Sequence, residues 1–192
     1  MLLNDPTDHS PALSIVCICF NNPLELDKTL GSCRTLAASE VEILVIDGST
    51  DDACARVIAA SSTPVRRHIQ EPDRGIYDAM NKGIRVARGE GALMLNSGDL
   101  LYDASRFMEE LRANRSKLAT HVLFGGTIDE FSGIRVERAL MREVTPEHIR
   151  QGIFPSHQSV IVPTSFCRQL PYDLSFKSAA DTVFLRKAFS QL

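Results

Sequence analysis

The chain has 192 residues, enough for one well-buried core and too few for two, and its 44% hydrophobic and 23% charged content is that of an ordinary globular protein. A net charge of −3 with scattered Lys and Arg gives no overall field for nucleic acid, so no nucleic-acid partner is expected. No apolar run approaches the ~20 residues of a membrane span, and residues 1–12 form a leader too polar and acidic for a signal peptide. The expected location is therefore the cytoplasm, with any membrane contact peripheral.

LSIVCICF (13–20) is a continuous apolar run of strand length, bounded by Asn21, Asn22 and Pro23. Strands apolar on both faces belong to parallel sheets covered by helices. Pro23 suits a first helical turn, and Leu24, Leu26, Leu30 and Leu36 carry a partial apolar stripe to about Ala38. VEILVID (41–47) repeats the strand signal and ends on an Asp. A helix follows, with Ser49 or Thr50 as N-cap and Asp51 and Asp52 in its first turn. VRRHIQ (65–70) is a shorter, less apolar strand. Over 75–88, Ile76, Ala79, Met80, Gly83, Ile84 and Ala87 share one helical face, and ALMLN (92–96) closes the unit. This β-α-β-α-β-α-β alternation means a mostly parallel, doubly wound sheet.

The second half is less regular. A helix is expected over 102–118, two strands (121–131 and 134–140) around Ser132-Gly133, and a loop with a short helix over 140–156. A strand over 157–163 and a helix over 178–192 complete the chain. Nothing reads as a linker, so residues 13–192 are expected to form one domain with a partly antiparallel C-terminal portion.

Cys17 and Cys19 share a strand face, but no C-x-x-C or nearby His pair completes a metal site. All five cysteines are read as reduced and buried.

In an open α/β sheet, ligand chemistry sits beyond the carboxyl ends of the strands. Three carboxylates fall there. Asp47 ends a strand before Gly48-Ser49-Thr50, where it suits a ribose or base contact or a plain helix cap. Asp73 precedes a helix N-terminus and suits capping equally. Asp99 follows Asn96-Ser97-Gly98, where Gly98 permits a tight turn that aims the carboxylate back over the strand end. Tyr77, Asp78, Asn81 and Lys82 make the opposite face of the 75–88 helix polar, either for a ligand or for solvent. No G-x-G-x-x-G follows the first strand, which argues against an ordinary dinucleotide cofactor. The same stretch lacks the glycines and basic residues of a nucleotidyltransferase phosphate loop.

In this order, SIVCICFNN, VIDGSTDD, DRGIYDAMNKGI and LNSGD resemble the family 2 glycosyltransferases of the GT-A fold, and within them bacterial colanic-acid and exopolysaccharide-type sugar transferases. The resemblance is strong over residues 13–100 and weaker at the HQS strand and the Asp181 helix. It implies transfer of a sugar from a nucleotide diphosphate-sugar to a saccharide or lipid-linked saccharide hydroxyl, with inversion. Residues 13–100 would form the donor half and 101–192 the acceptor half. The resemblance puts the base and ribose near Phe20, Asn21, Asp47 and Asp73, with Asn81, Lys82 and Asn96 beside the donor. Asp99 would bind a divalent cation, Mn²⁺ or Mg²⁺, and Asp181 would activate the acceptor, with His157 and Gln158 on the acceptor side. Two departures stand out. Asn96 and Ser97 replace the first carboxylate of the family's metal motif, and the chain stops soon after the Asp181 helix, as a truncated or minimal member would. A catalytically degenerate nucleotide-binding subunit is the alternative reading.

Overall fold

Residues 10–138 and 141–192 are described by the structure, a computed structural model; most of the expected leader lies outside the described residues. Ala12, just before the first strand, is buried, and its N–H donates to the carbonyl of Glu40.

The four strands of the first half are β1 (Leu13–Cys19), β2 (Val41–Asp47), β3 (Val65–Gln70) and β4 (Gly91–Asn96). All pair in parallel, in the order β3-β2-β1-β4. The chain builds outward from β1 through β2 to β3, then returns to β1's other side as β4. That reversal makes the carboxyl ends of β1 and β4 a topological switch point, where open α/β sheets bind ligands. β1 and β2 are buried along their whole length, as continuous apolar runs require.

Helices α1 (Pro23–Cys33), α2 (Ala53–Ala60) and α3 (Ile76–Val86) connect these strands. α1 ends at Cys33, five residues before the expected Ala38, although Leu36 beyond it is still buried. α2 starts later than expected. Asp52 is its N-cap and Asp51 accepts from the N–H of Ala53, while Ser49 is drawn into the core instead. On α3 the expected apolar face packs on the sheet, except that Ile76 is 42% exposed.

The second half adds α4 (Ala104–Ala113), shorter than expected and capped by Asp103, whose carboxylate accepts from the N–H of Arg106. The stretch expected as one strand over 121–131 divides. β5 (Leu123–Phe124) joins the main sheet, while β6 (Ile128–Phe131) pairs with β7 (Ile134–Glu137) in a separate hairpin. Gly125 and Gly126 lie at the break, and Ser132 and Gly133 turn the hairpin with φ of 49° and 80°. The 140–156 region contains α5 (Pro146–Gln151), capped by Thr145. Residues 157–159 form a 3₁₀ turn, so the last strand, β8 (Val160–Pro163), starts three residues late. β8 lies antiparallel between β4 and β5 and completes the six-stranded sheet β3-β2-β1-β4-β8-β5. α6 (Thr164–Gln169) was not expected, because six residues are too few to display a helical period. α7 (Ala180–Gln191) ends the fold.

Two apolar layers cover the sheet. β1, β2 and β4 side chains meet α1, α2 and α4 on one face, and α3, α6 and α7 on the other. This mixed α/β architecture, mostly parallel with a small antiparallel hairpin, is the one expected.

Candidate active site

Register brings the strand ends level: Cys19 lies opposite Asp47, and Ile18 opposite Asn96. The turns beyond them are stitched together by the two asparagines after β1. Asn21, with φ of 51°, donates its N–H to Ser49 Oγ at 2.8 Å and accepts at Oδ1 from the N–H of Thr50. Asn22 Oδ1 accepts from Ser97 Oγ at 3.0 Å, and Ser97 Oγ also reaches the carbonyl of Ile18. The loop after β1 therefore fixes both the β2 side and the β4 side of one cleft.

On the β2 side, Asp47 is fully buried. One carboxylate oxygen accepts from the N–H of Ser49 at 2.8 Å, and the other faces His68 Nε2 at 3.3 Å. Asp47 therefore braces the Gly48-Ser49 turn and offers the cleft no unpartnered oxygen. Gln70 ties the same turn down by donating to the carbonyls of Ser49 and Asp51. Asp73 comes from the loop before α3 and accepts from the N–H of Gly75 at 2.8 Å. Its other oxygen lies against Gly48: a Cβ there would run into Asp73 Oδ2 and come within 3.2 Å of the Phe20 ring. Phe20 itself is 59% exposed. Asp47, Gly48, Asp73 and Phe20 are thus brought together, with an exposed aromatic face beside a carboxylate.

Asn81 and Lys82 are engaged elsewhere. Asn81 is buried, donating to the carbonyl of Tyr172 and accepting from its N–H, both at 2.9 Å. Lys82 donates to the carbonyl of Pro72 at 2.6 Å and pairs with Glu71 at 3.0 Å, so it pins the loop carrying Asp73. The polar face of α3 is not a solvated one over most of its length, because Asp78 is buried as well.

On the β4 side the arrangement is different. Gly98 has φ of 104°, and the tight turn it permits folds Asp99 back so that its carboxylate accepts from the N–H of Asn96 at 3.2 Å. Burial pushes the Asp99 carboxyl above the usual carboxylate range; the bond from Asn96, nearby His157 and a bond from Gln158 only partly oppose this. Asn96 Nδ2 lies 3.4 Å from His157 Nε2, and Asn96 Oδ1 is buried with no protein partner. His157 Nδ1 lies 3.1 Å from Asp181 Oδ2, and Tyr77 Oη donates to Asp181 Oδ1 at 3.1 Å.

A chain of polar contacts therefore runs from Asn96 through His157 to Asp181 and Tyr77. With the imidazole proton on Nδ1, His157 donates to Asp181 and accepts from Asn96, and every contact is satisfied in the neutral ring. Asp181 sits in the first turn of α7, two residues after the N-cap Ala179, a non-glycine residue at φ of 66°. Burial, then the Asp181 charge, push the Tyr77 hydroxyl pKa up, which keeps Tyr77 a donor. Asp181, His157, Gln158, Asn96 and Asp99 come together from α7, the 3₁₀ turn and the end of β4.

Tyr77 and His68 were missed as site residues. Tyr77 was legible only as part of a polar helix face, because its partner lies 104 residues away. His68 shows no signal beyond its place in a strand.

The model of the family described as Glycosyl transferase family 2 matches residues 14–192. The chain belongs to glycosyltransferase family 2. An uncharacterized glycosyltransferase of Mycobacterium tuberculosis is 29% identical over 182 residues, covering 93% of this chain and 69% of the relative. Among solved structures, S. aureus TarS 1-349 in complex with UDP-GlcNAc superposes with a TM-score of 0.73 at 19% identity, over 92% of this chain and 53% of TarS 1-349. The mannosyltransferase PcManGT from Pyrobaculum calidifontis, in complex with GDP-Man and Mn²⁺, gives 0.66 at 15% identity, over 95% of this chain and 53% of that one. This family 2 chain thus spans little more than half the length of either solved protein, and the likeness to them is one of fold.

Proposed function

We propose that this family 2 member transfers a sugar from a nucleotide diphosphate-sugar to a saccharide hydroxyl, free or lipid-linked, in a single inverting displacement. The observation that carries the reading is the carboxylate of Asp181, held by Tyr77 and His157, beside the Asn96–Asp99 turn at the switch point of the sheet. Residues 13–100 form the donor half and 101–192 the acceptor half. The base rests between Phe20 and Asp73, with Asp47 bracing the turn beneath it and Asn21 fixing that turn from β1. Asn81 and Lys82 serve the donor indirectly, by holding the elements around it.

Asp181 takes the proton of the acceptor hydroxyl. The acceptor oxygen forms a bond to the anomeric carbon while the bond from that carbon to the diphosphate oxygen breaks on the opposite face. Tyr77 and His157 occupy one oxygen each, which fixes the carboxylate plane. Gln158 orients Asp99.

The donor set fits a hard divalent cation such as Mg²⁺ or Mn²⁺. Asp99 supplies a carboxylate, and Asn96 Oδ1 is a buried oxygen that lacks a partner. Such an ion, when bound, neutralises charge on the leaving diphosphate. One carboxylate is enough where substrate phosphates complete the coordination, so binding of ion and donor is expected to be mutually dependent. The TarS complex with UDP-GlcNAc and the PcManGT complex with GDP-Man and Mn²⁺ support this donor class.

Calorimetric titration of UDP and GDP, with and without Mn²⁺, on wild type and Asp99→Ala tests the reading. Metal-dependent binding of one nucleotide, lost in the variant, is expected. Absence of binding by either nucleotide would overturn it.

A further inference from the structure

Cys19 ends β1, Asp47 ends β2 and Cys54 lies in the first turn of α2. Their sulfur and carboxylate atoms lie within 4.8 Å of one another, and all three residues are at most 2% exposed. In the sequence, Cys19 shares a strand face with Cys17 and no metal site is completed there. The fold instead turns Cys19 toward a carboxylate and a thiol supplied by two other elements.

Besides bracing the Gly48-Ser49 turn, the buried Asp47 carboxylate lies beside two thiols, which puts three groups able to hold a cation at one point. The Cys19 thiol hydrogen-bonds Asp47, and Ser49 Oγ donates to Cys54 Sγ at 3.4 Å. Outside the trio, His68 holds the far oxygen of Asp47, and its side chain, 23% exposed, is the member that opens toward solvent.

We propose that Cys19, Cys54 and Asp47 form a three-ligand site for a soft divalent cation of the zinc type, with water in the fourth position and His68 orienting the Asp47 carboxylate. Two thiolates and one carboxylate suit Zn²⁺ and its spectroscopic substitute Co²⁺, and disfavour the Mg²⁺ or Mn²⁺ suited to Asp99. No electron changes hands. Each thiol gives up its proton to solvent as its sulfur binds the ion, so affinity rises with pH. Burial, and then the Asp47 charge, push the Cys19 thiol pKa up, and a dication removes the repulsion that keeps it protonated. Because Asp47 also braces the turn under the proposed base pocket, an ion here competes with donor nucleotide. That consequence alone rests on the transferase reading.

The test is Co²⁺ titration of the metal-free, disulfide-free protein, following the sulfur-to-cobalt charge-transfer absorption. Wild type is expected to saturate at one equivalent. Cys19→Ala and Cys54→Ala should each abolish the absorption, His68→Gln should weaken affinity about 10–100-fold with the band kept, and Asp99→Ala should leave it intact. X-ray absorption of the zinc-loaded wild type needs no variant and should show two sulfur ligands. A folded wild type with no sulfur–metal signal by either method overturns the site, as does a band that survives in both Cys variants. An intact band with nucleotide affinity unchanged by Zn²⁺ overturns only the competition.

Discussion

The two sides of the cleft are built on opposite plans. On the β2 side, both oxygens of Asp47 are engaged, Gln70 and Asn21 hold the neighbouring turn, and Gly48 is packed against Asp73 and Phe20. On the β4 side, Asn96 keeps a buried oxygen without a partner, burial raises the pKa of Asp99, and Asp181 stands at the end of a chain of donors. A side with its polar groups satisfied is preorganised for recognition, and a side with an unsatisfied oxygen and a raised carboxylate awaits charge from a ligand. In the proposed function, the first side carries recognition and the second chemistry.

The largest break in that contrast is expected from Asp181→Asn, which removes the base, keeps one acceptor oxygen for Tyr77 or His157 and puts an amide NH₂ in place of the other. Transfer should fall about 10²–10⁴-fold with nucleotide affinity unchanged, as measured by release of nucleoside diphosphate in the presence of acceptor. On the recognition side, Gly48→Ala should reverse the pattern. The added methyl displaces Asp73 and presses on Phe20, so nucleotide affinity should drop about tenfold or more, about 1.4 kcal/mol, with residual turnover at saturating donor. Equal turnover loss at saturation would blur the division.

Tyr77→Phe is a gentler probe. Losing one hydrogen bond to a charged acceptor is worth about 1.5 kcal/mol, about tenfold in rate. The loss should fall on turnover with nucleotide affinity unchanged, because Tyr77 holds Asp181 and not the β2-side turn. Turnover at the wild-type rate would mean that Tyr77 serves only packing.

The smallest effect concerns Asp99. Its folded-state pKa is raised, so the native state holds its proton to higher pH than the unfolded chain. Stability should therefore fall as pH rises from the ordinary carboxylate pKa through the raised one. Asp99→Asn should remove that fall and melt higher than wild type above this window, in the absence of divalent cation. Thermal melts from pH 3.5 to 7 check the sign.

Much of the fold was legible because β1, β2 and β4 are buried on both faces and so read as apolar runs, while Pro23 and the strand-end aspartates mark the turns. Where elements shrink to two or four residues, as in β5, β6 and β8, strands were expected but their bounds were not legible, and the insertion of β8 between β4 and β5 is a tertiary fact. The site follows the same division. Asp47, Asp73 and Asp99 could be placed at strand ends from local sequence. The partners of Tyr77 and Asn81 lie 104 and 91 residues further along the chain, so helical spacing showed a polar face without showing what meets it. For that reason helical spacing left Asn81 facing either ligand or solvent, and the structure shows it strapped to Tyr172.

Nucleotide affinity and single-turnover transfer, measured side by side on Asp181→Asn and wild type, test the division of labour most directly. Unchanged metal-dependent nucleotide binding with transfer reduced at least about a hundredfold is the expected result. Transfer at the wild-type rate, or binding and transfer lost together in a folded variant, would contradict it.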